Sequence, residues 1–87
     1  MKLTSNRELY DYLLALSAKV TSRGDSELGQ KIAAASRHAA GMSTEFLGES
    51  RIALRGVARD KSGILNEAEH AELLEILRQL DSAFDKR

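Results

Sequence analysis

No proline interrupts the 87-residue chain. Its large apolar residues recur at intervals of three and four, the repeat that gathers side chains on one face of an α-helix. A helix patterned this way is apolar along one stripe only, so several such helices must pack together to shelter their stripes from water. β-Branched residues are few, which removes the side chains that most favour strands. The pattern predicts an all-α fold.

Four stretches carry the repeat, each with start and stop chemistry at its ends. The first opens at Ser5-Asn6-Arg7-Glu8, a capping box, and places Leu9, Leu13, Leu16 and Val20 on one face, with Tyr12 beside them, until Gly24 ends it. Asp25 or Ser26 caps the second, an alanine-rich helix whose Leu28, Ile32, Ala35 and Ala39 lead to Gly41. Ser43 or Thr44 caps the third, with Phe46, Leu47, Ser50, Ala53, Leu54 and Val57 in one sector. Turn-forming Asp60-Lys61-Ser62-Gly63 follows, and Asn66 with Glu69 starts the fourth, whose core line is Leu73, Leu77, Leu80 and Phe84, flanked by Leu74 and Ile76. The expected helices span about 6–22, 26–40, 44–59 and 67–84. Short connections make neighbours antiparallel, so the expected architecture is a small up-down four-helix bundle, and a chain of this length holds one core rather than two.

Composition narrows the function classes. A hydrophobic fraction of 43% with 30% charged and 5% aromatic residues suits a globular core built on leucine and alanine. Net charge is zero, which gives no overall attraction to nucleic acid or an anionic membrane. The absence of cysteine excludes disulfides and thiol catalysis, and a domain this small without staples is expected in the cytoplasm. No apolar run approaches the ~20 residues that span a bilayer, and no signal peptide is expected at the start.

Chemical motifs are weak. Glu67-Ala68-Glu69-His70 has the Glu-x-x-His spacing of di-iron helical bundles, but such a site needs two copies and two further glutamates. No Gly-x-Ser-x-Gly elbow and no phosphate-cradling glycine loop occur. We therefore expect no enzyme activity, no cofactor and no metal. Ala40-Gly41-Met42-Ser43 resembles the turn of a helix-turn-helix, yet Glu45 and Glu49 would open its reading helix, where phosphates repel them.

Surface patterns are more informative. On the third helix Gly48, Ile52 and Gly56 form a second line opposite Phe46, Ser50 and Val57. Glycine within a helix costs ~1 kcal/mol relative to alanine, so this line marks either close packing under the alanine-rich second helix or an interface. Tyr10 and Leu14 make a similar second line on the first helix. Arg51, Arg55 and Arg59 form a basic edge that either grips anions, nucleic acid included, or pairs with the acidic fourth helix. The expected function is a small non-enzymatic interaction module of the bacterial regulator, adaptor or inhibitor type, with a protein partner or a second copy bound on helix faces. The alternative is a helix-turn-helix-like nucleic-acid binder using the arginine edge.

Overall fold

The first helix ends where Gly24 adopts φ +106°, a left-handed conformation that glycine reaches without steric cost. Gly24 N–H donates to Thr21 O at 3.1 Å and Asp25 N–H to Val20 O at 3.2 Å, the two bonds of a Schellman motif. The computed structural model describes residues 3, 5–40, 43–60 and 62–85. Within it the chain is all-α, with helices α1 (Asn6–Ser22), α2 (Ser26–Ser36), α3 (Ser43–Arg59) and α4 (Glu67–Asp85), and no strand among the described residues. The four helices are compatible with a four-helix bundle.

Caps follow the sequence closely. Ser5 Oγ accepts from Glu8 N–H at 3.3 Å, and Asp25 Oδ1, rather than Ser26, accepts from Leu28 N–H at 3.0 Å. At α4 the box is reciprocal: Glu69 N–H donates to Asn66 Oδ1 at 2.8 Å while Asn66 N–H donates to Glu69 Oε1 at 2.9 Å. Ser43 already belongs to α3 rather than preceding it, and the expected stop at Gly41 lies outside the described residues.

The second helix departs from expectation. It is α-helical only to Ser36 and continues to Ala40 as a 3₁₀ turn, with Arg37 N–H bonded to Ala34 O. Ser36 Oγ donates to Ala33 O at 2.6 Å, drawing on a carbonyl of the last α-turn where the tighter repeat begins.

One continuous core draws on all four helices. Leu9, Leu13, Leu16 and Val20 of α1 meet Ile32, Phe46, Leu54, Val57, Leu73, Ile76, Leu77 and Leu80. Ile64 and Leu65, in the connection before α4, also pack against it. Leu74 is a correction: expected to flank the core, it is 50% exposed, because it lies one step of about 100° round the helix from fully buried Leu73. The side chain of Phe84 lies outside the described part.

Helices α1 and α2 are the most intimate pair. Ser17 Oγ donates to Gly29 O at 2.8 Å, and a Cβ built on Gly29 would overlap Thr21 Oγ1 and stand 3.1 Å from Ser17 O. Close approach here requires a residue without a side chain. The sequence pattern points to such an approach at Gly48 and Gly56, whereas the structure has it at Gly29.

Ser50 is fully buried, and its Oγ has no hydrogen-bond partner among the described residues. Leaving a buried hydroxyl unpaired costs about 1–3 kcal/mol. Ser50→Ala is therefore expected to raise the melting temperature, by about 4–8 °C for each kcal/mol recovered. Calorimetry on the two proteins measures it. Alanine at the two helix glycines should have opposite signs. At Gly29 the overlap with Thr21 should outweigh the gain in helix propensity and destabilise by about 1–3 kcal/mol. At Gly56, where nothing lies within 4 Å of a built Cβ, alanine should stabilise by about 0.5–1 kcal/mol. Urea titration of both variants decides the pair.

Candidate functional site

The second line on α3 does not lie beneath α2. Ile52 is 64% exposed, Gly56 is exposed with open space around its Cα, and Gly48 is half-buried. Packing under the alanine-rich helix is thus overturned at Ile52 and Gly56. At Gly56 the reason is the spacing of α2 and α3: a groove of about 340 Å³, lined by Leu28, Lys31, Gly56 and Arg59 among others, opens between them at this end. At the other end the helices are held together, with His38 Nδ1 at 2.9 Å from Glu45 Oε1 and His38 Nε2 at 4.0 Å from Glu49 Oε1.

The arginine edge is divided. Arg51 and Arg55 converge on one carboxylate oxygen of Asp81 in α4, at 3.4 and 3.0 Å. Arg59 is exposed and makes no ion pair among the described residues. Intramolecular pairing thus takes up two of the three cations, through an aspartate late in α4 rather than through the glutamates of its first half. Two neighbouring guanidinium groups sharing one carboxylate bring a third helix edge, α3, into register with α4. As exposed pairs they contribute little energy each.

Tyr10 and Leu14 differ in exposure. Tyr10 is half-buried against the core, whereas Leu14 is 41% exposed. Tyr10 also lines an open groove of about 420 Å³ together with Asn6, Arg7, Ser36, Arg37 and Ala39. Arg7 bonds to Asp11 at 3.3 Å.

The Glu-x-x-His motif resolves into structural roles. Glu67 is exposed, and His70 is half-buried beside Val57, Ile64 and Leu65. Glu69 instead gathers cations from α1. Arg23 binds it through both guanidinium nitrogens at 2.6 and 2.9 Å, and Lys19 Nζ lies 2.9 Å away. The same Arg23 donates to Ile64 O at 2.8 Å, so it ties the loop as well as the helix. Hydrogen bonds from Arg23, from Asn66 N–H and from Lys19 hold the Glu69 carboxyl well below the usual carboxylate range. Burial pushes the Tyr12 phenol up, and the nearby carboxylates Glu72 and Glu69 add to it. Among the described residues no three histidine or acidic side chains gather to hold a metal ion, and no helix is long and apolar enough to cross a membrane.

Sequence reasoning missed three residues that organise these surfaces. Arg37 lines the groove beside Tyr10, Asp81 receives two arginines, and Glu69 serves two cations besides its cap. Only Glu69 carried a legible signal, its place in the capping box.

No protein-family model, curated protein or solved structure matches the chain.

The Glu69 node generates a pH dependence. A carboxyl lowered in the folded state contributes stability that is complete above its unfolded value and is lost progressively as pH falls from there through its lowered folded value. Glu69→Gln keeps a capping side chain but removes the ion pairs, so it should melt lower than the parent at neutral pH. The gap should narrow as pH falls below the ordinary carboxylate value of 4.5. Paired thermal melts at pH 7 and below 4 check this.

Proposed function

We propose that this chain is a non-enzymatic protein-interaction module that binds through the outer face of α3. One observation carries the reading: Ile52, a large apolar side chain, is 64% exposed and stands one turn from Gly56, whose surroundings are open. A single exposed isoleucine is ordinary on a protein surface. A helix-interior glycine beside it, which nothing among the described residues requires, is a local cost of ~1 kcal/mol that a partner approaching the backbone would offset. The partner on this reading is a protein or a second copy, in the cytoplasm, in the manner of a small regulator, adaptor or inhibitor. The shared use of Asp81 by Arg51 and Arg55 weighs against the nucleic-acid reading, since it reduces the charge available to phosphates.

Ile52→Lys tests it. The substitution is expected to leave the melting temperature within about 2 °C of the parent, because surface changes usually stay within ±0.5 kcal/mol. It is also expected to abolish capture of a partner, or of a second copy, in affinity purification from the native cell followed by native mass measurement. Identical capture by parent and variant, or co-purification of nucleic acid that Arg51→Ala removes, would overturn the reading.

A further inference from the structure

We propose that the groove between α1 and the 3₁₀ turn after α2 is a second docking site, and that its occupant is an acidic amphipathic helix. This goes beyond the α3 face and stands without it. Helices α1 and α2 are pinned where Gly29 meets Ser17 and Thr21, near the end of α1 and the start of α2. At the opposite end they part, leaving an open trough of about 420 Å³ with Tyr10 and Ala39 in its lining. Leu14 stands one turn from Tyr10 on the same face of α1 and is 41% exposed. Tyr10 and Leu14 on α1, with Ala39 of the 3₁₀ turn in the trough lining, make an apolar surface that the apolar face of a further helix can cover.

Charge selects the partner. Arg37 lines the trough, is exposed, and makes no ion pair or side-chain hydrogen bond among the described residues. Most other arginines have an acid: Arg7 has Asp11, Arg23 has Glu69, Arg51 and Arg55 have Asp81, and Arg78 has Glu75. Arg7, 81% exposed at its side chain, stands on the α1 wall of the same trough. Next to Arg37, His38 is engaged by Glu45 and Glu49 of α3 and does not compete for that role. A trough lined by Tyr10 and Ala39 with Asn6 and Ser36, and bordered by Arg37, which no acid among the described residues engages, complements apolar residues flanked by carboxylates; Arg7 on the other wall is already held by Asp11. Such rim charges set specificity more than raw affinity.

The test uses two helical peptides about 15 residues long with the same leucine stripe, one flanked by glutamates and one by lysines. Each is titrated into the isotope-labelled full chain while backbone amide resonances are followed. The glutamate peptide should bind more tightly, by about tenfold, with shifts centred on Tyr10, Leu14, Arg37 and Ala39. Arg37→Glu should reverse the preference without lowering the melting temperature, and Ile52→Lys should leave it unchanged. An equal response to both peptides, no response at millimolar concentration, shifts centred on α3, or a preference indifferent to Arg37→Glu would each overturn the proposal.

Discussion

Everything about the surface of this protein follows from where α2 is held. Near its start, Gly29 lies so close to α1 that a methyl group would overlap Thr21, and Ser17 bonds to its carbonyl oxygen. Just past its end, His38 in the 3₁₀ turn reaches Glu45 at the start of α3. The helix is thus pinned to one neighbour at each end. Between α1 and α2 the far end opens into the trough beside Tyr10, and between α2 and α3 the far end opens beside Gly56. Two straight rods fixed at one point and crossing at an angle must diverge away from it.

The fourth helix is attached by different means. Its core residues Leu73, Ile76, Leu77 and Leu80 join the shared interior, which is non-directional and sets no register alone. Polar contacts at its two ends add directional constraints. Glu69 in the first turn holds Lys19 and Arg23 at the end of α1, and Asp81 near the other end holds Arg51 and Arg55 of α3. Glu69 also completes the cap of its own helix, so one carboxylate both starts α4 and fixes where it lies. That double use explains why an acid in a capping position is lowered further than capping alone requires.

The buried Ser50 hydroxyl stands apart from this scheme. It occupies a core position on α3 without a partner, at a place where the helix repeat calls for an apolar residue. The sequence pattern admits it because serine is small, and only the surrounding packing reveals that its hydroxyl is buried without a partner among the described residues.

The helices were legible residue by residue. Stripe spacing, the caps at Ser5, Asp25 and Asn66, and the glycine stop at Gly24 are local chemistry, decided within one or two turns of chain, and α1, α3 and α4 follow them. The core was legible for the same reason, apart from Leu74, whose burial depended on which side of α4 its neighbours occupy. What only the tertiary structure decided was the meaning of each surface residue. Gly29 and Gly56 are both helix glycines; one lies against the Thr21 side chain and the Ser17 carbonyl oxygen of α1, and the other faces open space. Arg37 and Arg55 are both exposed cations on helical segments, yet one is unpaired among the described residues and the other shares Asp81. The sequence determines which residues a helix presents outward, because that depends on a local repeat. Which of them meets a partner depends on the distance to another helix, set by contacts far apart in the chain.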